Sequence, residues 1–161
     1  MAKSKGKTAP VIDEAEAGFI FVPLGGTGEI GMNFNLYGCD GKWLAVDCGM
    51  GFSGPETPEA EILLPDPAFI AQQREDLLGL VITHAHEDHI GGIARLWPQL
   101  RCPVYATPFA AAVIRRKLQE VSFHREVKIH IIPPGGAFEL APFSLRYIRT
   151  VSYTNLRAHE T

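Results

Sequence analysis

Thr83-His84-Ala85-His86-Glu87-Asp88-His89 sets three histidines and an aspartate within a few positions, directly after the apolar run Leu80-Val81-Ile82. Crowded imidazoles repel once protonated, and a carboxylate among them calls for a cationic partner. A divalent cation answers both needs. Imidazole with carboxylate suits zinc, with manganese and iron as competitors. Leu78 to Thr83 reads as a buried strand, at whose end alternate residues share a side, so that His84 and His86 point together. A turn into a helix then re-aims Asp88 and His89. The spacing therefore allows two adjacent cation sites, His84 with His86 and Asp88 with His89. A hydrogen-bonded surface histidine cluster is the non-chemical alternative.

A second motif competes for attention. Gly26-Thr27-Gly28-Glu29-Ile30-Gly31 fits the dinucleotide pattern G-x-G-x-x-G after the strand-like run Phe19-Ile20-Phe21-Val22. A dinucleotide fold places a helix next, its N-terminus toward the pyrophosphate. Here Met32 to Tyr37 alternates as a strand, Asp40-Gly41 signals a hairpin, and Trp43 to Val46 reads as the return strand. The expectation is no nicotinamide cofactor and a tight glycine loop that lets backbone approach something else.

The elements that position these motifs follow from pattern. Residues 49 to 67, rich in glycine and proline, read as loop, and Pro67 to Leu77 as a short helix. Ile90 to Leu96 reads as a helix ended by Pro98, and Cys102 to Ala106 as a strand. Thr107 reads as an N-cap, with Pro108 opening an amphipathic helix through Glu120. Val127 to Ile132 and Phe143 to Arg149 read as strands on either side of the turn Pro133-Pro134-Gly135-Gly136. The whole is a mixed α/β pattern without internal repeat.

Composition narrows the class. At 161 residues and 46% hydrophobic, the chain can bury a single sizeable core, and a formal charge of −3 gives no global basic field for nucleic acid. Cys39, Cys48 and Cys102 are odd in number and lack C-x-x-C spacing, so they read as small buried hydrophobes in a reducing compartment. No apolar run is long enough for a membrane span, and none follows the lysine-rich start as a secretory signal would require. The expectations are a cytoplasmic protein with no membrane partner, residues 1–18 a disordered tail. His124 and His130 read as ordinary edge histidines. Arg115-Arg116-Lys117 reads either as a phosphate contact or as a solvated helix end favoured by the helix dipole.

Taken in order, Leu24 to Asn33, Val46-Asp47-Cys48-Gly49, Ile82 to His89, Trp97-Pro98 and Pro103-Val104-Tyr105-Ala106 make a specific set. H-x-H-x-D-H after an apolar strand resembles the metallo-β-lactamase superfamily. The longer blocks resemble the start of the bacterial ribonuclease J family, in its β-CASP group, over roughly residues 19 to 150. The resemblance implies the N-terminal part of an αββα sandwich, incomplete here. It implies two divalent ions, zinc or alternatively manganese, with His84 and His86 on one and Asp88 and His89 on the other, the latter two catalytic. Asp47 would support the ligands from behind or simply bond the strand end. Gly26, Gly28 and Asn33 would lie in a loop beside the metals, which makes RNA phosphate the expected neighbour; Asn33 would touch substrate or cap a turn. The reaction implied is metal-assisted hydrolysis of RNA, from a 5′ end and internally, with cations about 3.5–4 Å apart. The partner is RNA and the complete protein a homo-oligomer. A lactam or thioester hydrolase, and a non-catalytic metal-binding subunit of an RNA-processing assembly, are the alternatives.

The chain also departs from that family. A further histidine is expected shortly after Tyr147-Ile148-Arg149-Thr150, with a bridging aspartate and another histidine later. Residues 151 to 161 read instead Val-Ser-Tyr-Thr-Asn-Leu-Arg-Ala-His-Glu-Thr. The expectation is a non-native tail in which His159 is no ligand. With two protein ligands per cation, this 161-residue polypeptide is expected to be inactive and aggregation-prone.

Overall fold

Three strands open the chain as an antiparallel meander: β1 (Ile20–Gly25), β2 (Phe34–Cys39) and β3 (Lys42–Val46). The β2–β3 connection is Asp40-Gly41, both residues at positive φ (49° and 70°), as a two-residue hairpin turn compatible with strand twist requires. The computed structural model describes residues 18–52 and 61–148. The expected lead-in (apart from Gly18) and the expected non-native tail lie outside them.

Beyond β3 the chain alternates between strand and helix. β6 (Leu77–Val81), β7 (Val104–Ala106) and β8 (Ile129–Ile131) join the meander in parallel, giving a six-stranded sheet of order β1-β2-β3-β6-β7-β8. Between them run α2 (Glu87–Ile90), α3 (Ile93–Leu100) and α4 (Pro108–Leu118). Because strand side chains alternate, the sheet has two distinct apolar faces. Leu36, Ala45, Leu80, Ile82 and Val104 face the helices, where Ile70, Ile93, Trp97, Ile114 and Leu118 complete the main core. Leu44, Val81, Tyr37 and Tyr105 face the other way, against Phe138, Phe143 and Leu145. Those three come from a second layer, the antiparallel hairpin of β9 (Ala137–Leu140) and β10 (Phe143–Arg146). The chain is thus mixed α/β.

Several boundaries differ from the sequence reading. A helix expected over 67–77 is instead α1 (Ala68–Ala71) followed by a 3-10 turn, Arg74–Asp76. Its polar residues bond to β3 rather than extending a helix: Trp43 Nε1 donates to Gln73 Oε1 (3.0 Å), and Lys42 Nζ pairs with Asp76 (2.7 Å). Pro98 does not end its helix; α3 continues to Leu100 and stops where Arg101 turns left-handed at φ 49°. A proline there removes one donor, while Trp97 and Leu100 on either side of it are buried and the Trp97 indole donates to the Cys102 carbonyl (2.8 Å). Thr107 occupies the N-cap position of α4, but its side chain makes no cap hydrogen bond, and the helix ends at Leu118 rather than Glu120. In the stretch read as loop, β4 (Gly51–Phe52) pairs with β5 (Ile62–Leu63). β9 was not visible in the pattern.

Candidate metal centre

β3 and β6 are parallel neighbours, with Val46 opposite Val81. Their C-terminal ends therefore lie side by side, and the chain leaves both at one edge of the sheet, where an open α/β sheet leaves a crevice. Asp47 leaves β3 at φ 62°, a left-handed conformation that Asp tolerates better than most side chains. Its carboxylate is buried, and a buried charge is costly without partners. It accepts the Thr83 backbone N–H at 2.8 Å, lies 2.8 Å from the Thr83 hydroxyl, and lies 2.7 Å from His89 Nδ1.

Partner chemistry fixes the imidazoles. A carboxylate only accepts, so His89 Nδ1 carries a proton and donates it to Asp47; in the neutral ring Nε2 then keeps the lone pair that a cation would take. The Thr83 hydroxyl, donating to Asp47, can accept from His84 Nδ1 at 3.0 Å, which likewise frees His84 Nε2. That nitrogen lies 3.1 Å from His86 Nδ1, with the rings nearly edge to face at 73°. Asp88 Oδ2 lies 3.2 Å from His89 Nε2. Two ligands of a tetrahedral zinc at about 2.0–2.1 Å would be about 3.3 Å apart. Both pairs have that spacing. The pairs adjoin, the His84 and His89 ring centroids being 3.9 Å apart. Among the described residues no three or more His, Cys, Asp or Glu side chains converge as a metal-ligating group; the donors come as two pairs.

Charge divides the two pairs. Burial, then the neighbouring His89 and His86, hold His84 below the ordinary imidazole value, against the opposing pull of Asp47 and Asp88. Burial also disfavours protonated His89, but the hydrogen bond and charge of Asp47, with Asp88, outweigh it and raise that imidazole.

Backbone bonds clamp the site. Residues 48 to 50 run along α2: Cys48 N donates to His89 O (2.8 Å), Met50 N to Glu87 O (3.1 Å), and Gly92 N to Cys48 O (2.9 Å). Gly49 lies so close to this helix that a Cβ would overlap the Asp88 carbonyl oxygen. No other residue fits there.

Residues 42–160 match a family model, the beta-lactamase superfamily domain. The chain belongs to this superfamily. Within it, the chain is 43% identical over 152 residues to ribonuclease J of Sinorhizobium meliloti, covering 92% of this chain and 26% of that protein. It is 35% identical over 130 residues to ribonuclease J of Synechocystis, covering 80% of this chain and 20% of that protein. The chain thus spans about a fifth to a quarter of the length of these relatives. The metallo-β-lactamase fold protein YhfI of Bacillus subtilis superposes with a TM-score of 0.54 at 19% identity, over 81% of this chain and 52% of that one. That likeness concerns the fold.

The superfamily core gathers most residues singled out by sequence, but not all. His84, His86, Asp88 and His89 lie at one edge of the sheet as the two adjoining pairs, with Asp47 behind His89. Asp47 both bonds the strand end through Thr83 and backs His89. The Asn33 amide nitrogen lies 3.3 Å from Asp88 Oδ2 and 3.3 Å from His89 Nε2. Gly26 adjoins Asn33, whereas Gly28 has no heavy atom within 4 Å of where its Cβ would be. After Gly31 the chain enters β2. Lys117, grouped by sequence with two arginines, pairs with Glu87 inside the motif and ties α4 to α2. Tyr147 carried no signal, yet its hydroxyl lies 2.9 Å from the carbonyls of both Ile82 and Tyr105, bolting the second layer to the sheet edge beside the site. His130 sits in β8, stacked on Tyr105, and His124 bonds the Val121 carbonyl.

Proposed function

We propose that this chain is the front part of a two-metal ribonuclease that hydrolyses RNA phosphodiester bonds, from a 5′ end, internally or both, in RNA processing and decay. The observation that carries the reading is the pair spacing: His84 Nε2 and His86 Nδ1 at 3.1 Å, Asp88 Oδ2 and His89 Nε2 at 3.2 Å. The similarity to proteins named ribonuclease J selects RNA among superfamily substrates. His84 and His86 would hold one cation and Asp88 and His89 the other, zinc or manganese. When bound, the ions would polarise the phosphodiester and make water a nucleophile near neutral pH.

The chain's own groups prepare that chemistry. Asp47 holds the His89 proton on Nδ1, so that Nε2 faces the site as a base. Thr83 does the same for His84 through its hydroxyl. Asp88 presents negative charge beside His89, and residues 48–50 keep α2 against the sheet so that both pairs retain their spacing. His84 and His86 are exposed, so a phosphate chain could reach them. Each cation draws two ligands from this stretch, so the 161-residue polypeptide alone would be inactive. The complete protein would act as a cytoplasmic homo-oligomer.

The test is cleavage of 5′-labelled RNA by the protein expressed from its complete reading frame, with and without chelator. Metal-dependent cleavage lost in His84→Ala supports the reading. Turnover of a lactam or thioester with RNA left intact would replace it with another superfamily hydrolase. Intact RNA beside a co-purifying nuclease would replace it with a metal-binding subunit.

A further inference from the structure

We propose that Asn33 is a positioning residue for the cation held by Asp88 and His89, and that residue 26 is glycine to make room for the Asn33 side chain. The inference rests on the two-metal reading and concerns what the glycine-rich block does within it.

Asn33 is fixed from both directions along its backbone. Its N–H donates to the Asp88 carbonyl (2.9 Å) and its carbonyl accepts from Gly49 (2.9 Å). The side chain then has little freedom, and its amide nitrogen comes within 3.1 Å of the Asp88 carbonyl, 3.3 Å of Asp88 Oδ2 and 3.3 Å of His89 Nε2. An amide NH2 has two hydrogens and three acceptors within reach. With the His89 lone pair taken by a cation, both hydrogens remain for Asp88, one on its backbone and one on its carboxylate. That contact sets the direction of the carboxylate. An NH2 group cannot itself ligate a cation, so Asn33 acts through Asp88.

The other end of the amide explains the loop. Asn33 Oδ1 points toward Gly26, where an added Cβ would lie 2.5 Å from Oδ1 and 3.0 Å from Cα and Cγ of Asn33. Any side chain at 26 would push the amide off Asp88. Gly28 offers a built-in comparison: its φ of +79° matches the +83° of Gly26, yet nothing lies within 4 Å of its Cβ position. The two glycines therefore have different work, one serving only the turn and the other also housing Asn33. This accounts for Leu24 to Asn33 occurring with H-x-H-x-D-H without requiring the loop to touch RNA.

The experiment is a Co2+ titration of the protein expressed from its complete reading frame, followed by calorimetry and by visible absorption. Asn33→Ala should weaken the second cation by about tenfold or more, as loss of a ligand's hydrogen-bond partner does, and alter its absorption band while leaving the first cation unchanged. Gly26→Ala should act in the same direction, and the double variant should be no weaker than Asn33→Ala. Gly28→Ala, with the same backbone cost, should bind both cations as the parent does. If Gly26→Ala does not fold, Asn33→Ala alone decides. Parental binding by Asn33→Ala with lost RNA cleavage overturns the inference, putting Asn33 on the substrate, and leaves the two-metal reading standing. Equal losses in Gly26→Ala and Gly28→Ala overturn the claim for Gly26. A parent that binds no cation overturns both reading and inference.

Discussion

His89 donates from Nδ1 to Asp47 Oδ2 at 2.7 Å, across 42 positions of sequence. This bond joins the end of β3 to α2 and sets which nitrogen of His89 faces the site. Asp47 also holds a second element, because the same carboxylate accepts the Thr83 N–H at the end of β6.

Asp47→Ala should therefore damage two measurable properties together. Leaving the Thr83 N–H and hydroxyl without their acceptor should cost about 1–3 kcal/mol of stability, read as a lower urea midpoint. Releasing His89 should weaken the cation held with Asp88 by about 10–100-fold. A variant with parental stability and parental cation binding would show that the bond does neither.

Acidification should protonate His89 before His84. A cation needs unprotonated imidazole. His89 is held above its ordinary value, by Asp47 chiefly against burial, so protons compete for it at higher pH. Burial, with its histidine neighbours, lowers His84, so that ring stays available further into acid. In the metal-free protein His89 should take up its proton at higher pH than His84, in an NMR titration of the histidine rings. Without metal the stability contributions have opposite signs. That of His89 is full below the unfolded value near 6.5 and fades as pH rises through its raised folded value. That of His84 is full above 6.5 and fades as pH falls through its lowered one.

The cysteines give a test independent of metal. Cys48 and Cys102 are buried and free, while Cys39 is partly exposed. Burial, then the neighbouring Cys102 and Asp47, raise the Cys48 thiol strongly, and burial pushes Cys102 up to about 12 from 9.0. Native labelling with a thiol reagent should modify Cys39 first, the other two following only on unfolding. Since the unfolded thiols ionise while the folded ones stay neutral, stability from Cys102 should be intact below about pH 9 and lost as pH climbs toward about 12. Uniform labelling of all three cysteines in the folded protein would contradict this burial.

What the sequence reveals of this site depends on how far apart the partners lie. His84, His86, Asp88 and His89 are legible because strand and helix geometry act over six positions. Asp47 is legible as a strand-end carboxylate, but not as the partner of His89, since that depends on the parallel pairing of β3 with β6. Asn33 reads as a substrate contact or a turn cap because Asp88, its neighbour in the fold, is 55 positions away. The strands of the main sheet follow their apolar runs. The helix through Pro98 does not follow local punctuation, because burial of Trp97 and Leu100 outweighs one missing donor.

Tyr147 is the farthest reach of this non-local control, and it yields the sharpest test of the second layer. Its hydroxyl has one hydrogen and lies 2.9 Å from two carbonyls, those of Ile82 and Tyr105. Burial foremost, with Asp47 nearby, raises the phenol well above its ordinary value, so it remains a neutral donor throughout the working range of pH. Tyr147→Phe keeps the ring against Phe138 and removes only the donor, at a cost of about 0.5–1.5 kcal/mol. Tyr147→Ala removes the ring as well, and with it part of the cover over Val81 and Tyr105, so the loss should exceed that of Tyr147→Phe while staying below the ~3–5 kcal/mol of a fully buried aromatic, since Tyr147 is half-buried. The gap between the two variants in urea unfolding measures packing against hydrogen bonding. If Tyr147→Phe costs as much as Tyr147→Ala, the hydroxyl and not the ring holds the hairpin to the sheet. If neither variant changes stability, the hairpin is not docked through Tyr147.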